Sequence, residues 1–188
     1  MACSPKIPLV AALLLLAACR SQPIHYHTLM PSHPGGPARG SVTEIQIESV
    51  SVPAQVDRPQ VVIREGNSGL AFLETEWWGA TLAEELRSAL VDQLADVNPP
   101  HRLSLLVDVQ RFDSIPGQYG LIDATWRLRG VGAAATSNAS VTCRSTLQTP
   151  SGASIDDLVT AQQNNVKRLA ALIGQAASNP QKGCPPSQ

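Results

Sequence analysis

Hydrophobic positions along this chain change their spacing several times, and each change marks the boundary of an element. Ile45, Ile47, Val50 and Val52 alternate with polar residues but slip by one at Glu48-Ser49, which predicts a bulged strand ending at Pro53. Val61-Val62-Ile63 predicts a second, short strand. The turn-prone Gly66-Asn67 and Ser68-Gly69 then join residues 60–64 to residues 70–73 as a hairpin. From Trp77 to Leu94 the spacing becomes helical, with Leu82, Leu86, Ala89, Leu90 and Leu94 on one stripe and Glu84, Glu85, Arg87 and Asp92 facing away. Asn98-Pro99-Pro100 stops it. Leu103, Leu105, Val107 and Val109 alternate strictly up to Phe112, and Pro116-Gly117 breaks the run. Ile122, Ala124, Trp126, Leu128 and Gly130 share one face of the next strand; Val141, Cys143 and Leu147 mark another, closed by Thr149-Pro150-Ser151-Gly152. Ser154 and Asp157 have the form of a capping box, after which Leu158, Val166, Leu169, Ile173 and Ala176 give the stripe of a last helix, to about Ala177.

The order β-β-β-α-β-β-β-α predicts an α+β fold: a single domain with a twisted antiparallel or mixed sheet and two helices packed on one face. That domain occupies residues 41–178. Residues 19–40 are rich in Pro, Gly, Ser and His, including Pro31-Ser32-His33-Pro34-Gly35-Gly36-Pro37. Such a stretch buries too little apolar surface to offset its ordering entropy, so it reads as a flexible tether with a short strand at 25–29. Residues 179–188 form an irregular tail.

The first 18 residues stand apart. Ile7 to Ala18 are apolar except for Pro8. Twelve residues are too few to span a bilayer, which needs about twenty in a helix. The segment reads as the hydrophobic part of a secretory signal, and Leu16-Ala17-Ala18-Cys19 has the form of a lipobox. Cleavage before Cys19 would free a thiol to carry a diacylglycerol, the one covalent group this sequence calls for. Arg20, where Asp would favour retention at the inner membrane, directs the expectation to the outer membrane, facing the periplasm.

Charge excludes one class of partner. Without residues 1–18 the chain has 13 basic and 15 acidic side chains, and its eleven arginines are scattered singly. Nucleic-acid binding needs them clustered. Two cysteines remain besides Cys19. In an oxidising periplasm Cys143 and Cys184 can pair, stabilising the fold by about 4 kcal/mol through the loop they close, or stay as separate thiols.

Residues 50 to 64, Val50-Ser51-Val52-Pro53-Ala54-Gln55-Val56-Asp57-Arg58-Pro59-Gln60-Val61-Val62-Ile63-Arg64, closely resemble the signature of the ABC-type transport auxiliary lipoproteins of the PqiC or YmbA type. That signature runs V-x-V-P-x-x-L-D-R-P-Q-I-V-x-R ahead of a Trp-led amphipathic helix. Trp78 and Leu82 stand where the family has the W and L of W-A-E-P-L, and Tyr26-His27-Thr28-Leu29 is similar to its Y-x-L motif. Gly79-Ala80-Thr81 departs from A-E-P, Val56 replaces Leu, and the small, featureless stretch from Val131 to Ala139 lacks the family's patterning. The resemblance implies a non-enzymatic auxiliary of an MCE-type transporter that moves phospholipid or another hydrophobic cargo between inner and outer membranes. Its implied partners are a periplasmic MCE-domain protein of an ABC-type or PqiA-like system and outer-membrane lipid, with self-association into a homo-oligomer left open. A structural or assembly lipoprotein of the envelope is the alternative.

The residues themselves point the same way. No G-x-S-x-G, Walker loop or dinucleotide fingerprint occurs, so no catalytic residue and no cofactor is expected. His25 and His27 alone do not make a metal site, which for structural zinc takes four ligands. Adjacent Asp156-Asp157 point apart on a helix and suit the positive end of its dipole. In Asp57-Arg58-Pro59-Gln60, Pro59 fixes its own backbone and extends Arg58, giving a rigid lead-in to a strand with Asp57 on nearby backbone and Arg58 on a carboxylate. The same cluster at a strand edge can meet a partner, which makes Asp57, Arg58 and Gln60 candidate contacts. Of Trp77-Trp78, one indole belongs in the core and the other, Trp77, is the candidate interface anchor.

Overall fold

The computed structural model describes residues 22–32, 44–131 and 140–186. Cys19, the signal segment, most of the tether and all but the first residue of the stretch from Val131 to Ala139 lie outside these. The described elements run β1 (His25–His27), β2 (Ile45–Ser51), β3 (Gln60–Glu65), β4 (Gly69–Trp78), α1 (Leu82–Leu94), β5 (Leu103–Ile115), β6 (Tyr119–Gly130), β7 (Ser140–Pro150) and α2 (Ile155–Ser178), with a 3₁₀ turn at Pro180–Lys182. The fold is α+β, and after the strand within the tether its order is the expected one.

The strands form two mixed sheets rather than one. β2, β5, β6 and β7 lie side by side in that order, with β2 parallel to β5, while β1, β4 and β3 form a three-stranded sheet in the order β1-β4-β3. The division falls between Pro53 and Pro59. Neither proline can donate to a ladder, so the chain leaves the first sheet, folds into a hook and starts again in the second. Arg64 of β3 then reaches across to buried Asp113 of β5, its Nη2 donating at 2.9 Å, and ties the sheets together.

The bulge in β2 lies where the alternation slips, between Ile47 and Ser49 in its register with β5. A bulge leaves ladder carbonyls unpaired. Here Arg87 of α1 donates to the carbonyls of Ile47 and Glu48 at 2.9 and 3.0 Å.

Both helices bury the stripes that their sequences mark. Leu82, Leu86, Ala89, Leu90 and Leu94 of α1 and Leu158, Val166, Leu169, Ile173 and Ala176 of α2 all lie in the core. α1 packs on β2 and on α2, and α2 lies across β6 and β7. The capping box of α2 is present, with Asp157 N–H donating to Ser154 Oγ at 3.1 Å. Two polar side chains on α2, Gln162 and Asn165, are fully buried and fully occupied. Gln162 Nε2 donates to the Asp113 carbonyl and to Ser114, and Asn165 Nδ2 donates to the Gly120 carbonyl and to Gln162. They fix the helix against the β5–β6 turn, because a buried amide left unpaired would cost about 1–3 kcal/mol.

Two expectations about α1 need correction. The helix begins at Leu82, not Trp77: the two tryptophans end β4, whose pairing with β1 and β3 suits aromatic residues better than an isolated helical turn would. Glu85 does not face away. It is buried, accepting hydrogen bonds from the Thr28 hydroxyl at 2.8 Å and the Leu29 N–H at 2.9 Å.

Cys143 of β7 and Cys184 of the tail are joined by a disulfide, with their Cα atoms 5.5 Å apart.

Candidate docking site

The hook between the sheets gathers the residues singled out in the sequence. The Pro53 carbonyl accepts from the N–H groups of Val56 and Asp57, and Val56 packs inward as the hydrophobic pin of the turn. This leaves Asp57 beside the start of α1. Its Oδ1 accepts the N–H of Ala83 at 3.2 Å, where the residue in the N-cap position, Thr81, makes no side-chain cap of its own. A carboxylate there satisfies one of the helix's unpaired donors and meets the positive end of its dipole.

Arg58 pairs with no carboxylate among the described residues. Its guanidinium lies over the ring of Phe72, 4.0 Å from the centroid, a cation–π contact that leaves its charge near the surface. The Pro59 carbonyl accepts from Trp78 N–H at 2.6 Å and brings the hook into register with β4.

That register builds the site. Gln60 on β3 stands opposite Trp77 on β4, and Trp77 stands opposite Tyr26 on β1, so three side chains form one row across the sheet. Tyr26 and Trp77 meet edge to face with ring centroids 6.4 Å apart, and the Trp77 indole N–H donates to the Glu74 carbonyl at 2.9 Å. Tyr26 is 66% exposed. Trp78, one residue on, points to the opposite face, where it is buried against Phe112. Strand alternation, not helical geometry, separates the two indoles.

β1 is held to this sheet by side chains from three other elements. Between Gln60 and Trp77 the β3–β4 register shifts, and this irregular part of β4 contains Glu76. Glu76 accepts from His25 Nδ1 at 3.1 Å and His27 Nε2 at 2.6 Å. The other nitrogen of His27 faces Asp156 of α2 at 3.5 Å. Glu85 of α1 holds Thr28 and Leu29, and Gln163 of α2 donates to the Thr28 carbonyl at 2.9 Å. Leu29 itself is buried in the core. Gly79 completes the fit, since a Cβ there would come within 2.9 Å of Glu85 Oε1. Burial alone would raise the Glu76 pKa, but the hydrogen bonds and charge of His27 and His25 outweigh it and hold the carboxyl below its ordinary value. Both imidazoles are thus engaged by a carboxylate. Among the described residues no group of three or more His, Cys, Asp or Glu side chains is placed to hold a metal ion.

The model of the ABC-type transport auxiliary lipoprotein components matches residues 27–174. The chain belongs to that family. Its members are auxiliary components of transport systems, and their classification as lipoproteins places them at a membrane of the cell envelope. Among the described residues no helix is long and apolar enough to cross a membrane. Solved structures share the fold: an uncharacterized protein at 17% identity and TM-score 0.61, covering 82% of this chain and 98% of its own. Protein XCC0632 from Xanthomonas campestris is similar at 18% identity and TM-score 0.59, covering 85% of this chain and 97% of its own. No curated protein matches the chain.

Within this auxiliary fold the structure brings Gln60 and Trp77 together, sets Arg58 on Phe72 and turns Asp57 toward α1. The sequence reading missed Tyr26 as the third member of the row, and it missed Glu76 and Glu85 as the groups that hold β1. Strand register shows the first, and hydrogen bonds between distant segments show the other two.

Proposed function

We propose that this chain is a non-enzymatic auxiliary of an MCE-type transport system, anchored at the periplasmic face of the outer membrane by lipid on Cys19. Its partner is the periplasmic MCE-domain component, and the cargo is phospholipid or another hydrophobic compound. The lipobox ending in Cys19 and the Arg20 that follows support the anchor and its membrane.

One observation carries the docking role: exposed Tyr26 stands in one cross-strand row with half-buried Trp77 and Gln60, and Arg58, two residues before Gln60, lies on exposed Phe72. Aromatic and Arg side chains held by strands lose little freedom on binding and dominate interface energies. Asp57 ties the hook that leads into this sheet to the first turn of α1.

The test is capture of the MCE component by Trp77→Ala and Tyr26→Ala, compared with Leu86→Ala in the core. Loss of a central anchor costs about 2 kcal/mol, roughly thirtyfold in affinity, with little change in the thermal melt. Leu86→Ala instead loses about 2–5 kcal/mol of stability. Wild-type capture by both aromatic variants would move the interface elsewhere. Recovery of only peptidoglycan or outer-membrane assembly proteins after mild crosslinking would favour the structural role.

A further inference from the structure

A second groove uses none of these residues. It lies between the C-terminal end of α1, the second half of α2 and the tail, and its volume is about 950 Å³. That is the upper end of the range of about 300–1,000 Å³ usual for small-molecule sites. Val97, Ala171, Gly174 and Pro186 supply apolar lining. The segment that follows α1 packs closely on α2 here, since a Cβ on Gly174 would lie 3.1 Å from Val97 Cγ2. The outer wall is the tail itself. Residues 183–186 have no regular structure to hold them, and the Cys143–Cys184 disulfide keeps them in place across the groove.

The charges around this groove are unusual for the chain. Only three lysines occur in the sequence, Lys6, Lys167 and Lys182, and the last two both line it. Of the arginines, Arg64, Arg102, Arg111, Arg129 and Arg144 each meet a carboxylate, while Arg87 donates to carbonyls and Arg58 lies over a ring. Lys167 and Lys182 have no ion-pair partner among the described residues. Asp96 also lines the groove and leaves the cations in excess.

We infer that this groove binds a single-chain anionic amphiphile, its acyl chain along Val97, Ala171 and Gly174 and its carboxylate or phosphate head at Lys167 and Lys182. Apolar lining rewards the chain by area removed from water, and two ammonium groups without partners reward the head as charge-assisted donors. The inference stands apart from the docking face and needs no partner protein.

The experiment titrates the purified full chain with dansylundecanoic acid below its micelle concentration and follows dansyl fluorescence. Saturable one-to-one binding is expected, displaced by oleate and by lysophosphatidylglycerol; the first reports a carboxylate head, the second a phosphate. Dodecyl maltoside, with a chain but no charge, should compete at least about tenfold more weakly. Lys167→Glu with Lys182→Glu should weaken binding by at least about tenfold, and Ala171→Trp should abolish it, all with unchanged melts. Absence of saturable binding, equal competition by dodecyl maltoside, or binding unaffected by Ala171→Trp would each overturn the proposal. Displacement of the probe only by peptides of the transporter component would identify the groove as a protein contact and overturn it likewise.

Discussion

The carboxylate of Asp57 accepts the backbone N–H of Ala83 at 3.2 Å, so α1 is capped by a residue from the hook rather than by its own leading segment. The tetrapeptide Asp57-Arg58-Pro59-Gln60 thereby joins β3 to α1. Asp57→Ala should lower stability by about 0.5–2 kcal/mol, moving the melt by a few degrees, while Asp57→Asn retains most of it. Thermal melts of both variants check this. An unchanged melt for Asp57→Ala, coupled with lost partner capture, would make Asp57 a contact instead.

Holding β1 should depend on pH through Glu76. Its pKa is lower in the folded protein than the ordinary 4.5. A carboxyl of this kind contributes stability above its unfolded pKa and loses that contribution as pH falls through the folded one. Asp123, held below its ordinary 3.8 chiefly by the hydrogen bond from Arg144, acts in the same direction. Glu76→Gln should therefore be less stable than wild type at neutral pH, and the two curves should converge on acidification below 4.5. Hydrogen exchange of the residues in β1, followed from pH 7 to 3, reads the same loss locally. A difference that persists at pH 3 would assign the effect of Glu76 to packing.

The disulfide closes a separation of 41 residues that includes all of α2. Reduction, or Cys143→Ser with Cys184→Ser, should cost about 2–4 kcal/mol and lower the melt accordingly. It should also free the tail and weaken amphiphile binding in the groove. Mass spectrometry of protein alkylated without reductant should find the pair joined, and two alkylated thiols would refute it.

Cys19→Ser should remain uncleaved by the lipoprotein peptidase and fail to incorporate a palmitate analogue. Label retained in the variant, or never present in the wild type, would remove the anchor.

The periodic parts of the fold were legible because their patterns and their burial have the same cause. The stripes of α1 and α2, the slip at Glu48-Ser49 and the capping box at Ser154 and Asp157 all state which face meets the core. What could not be read depended on register between distant segments. Glu85 flanks the apolar stripe, three residues after Leu82 and four before Ala89, but its charge reads as outward, and it is buried because Thr28 and Leu29 arrive from elsewhere to satisfy it. Trp77 and Trp78 resembled a helix start because they precede one. Only the pairing of β4 with both β1 and β3 makes them strand residues, and that pairing also sets Tyr26 beside Trp77. Arg58 found a ring where a carboxylate was expected, since no sequence pattern records that Phe72 lies across the hairpin.

The burial of Leu29 and the pairing of β1 shorten the leash. Residues 33–43 lie between two strands of the folded body and do not lengthen its connection to the membrane. From Cys19 to His25 there are six residue steps, which span at most about 20 Å when fully extended. A domain anchored on Cys19 is therefore moored close to the bilayer by the strand that carries Tyr26. In a chain so anchored, Tyr26 lies at most seven residue steps, about 25 Å, from the lipidated residue, and a transporter component that engaged it would have to come that close to the membrane.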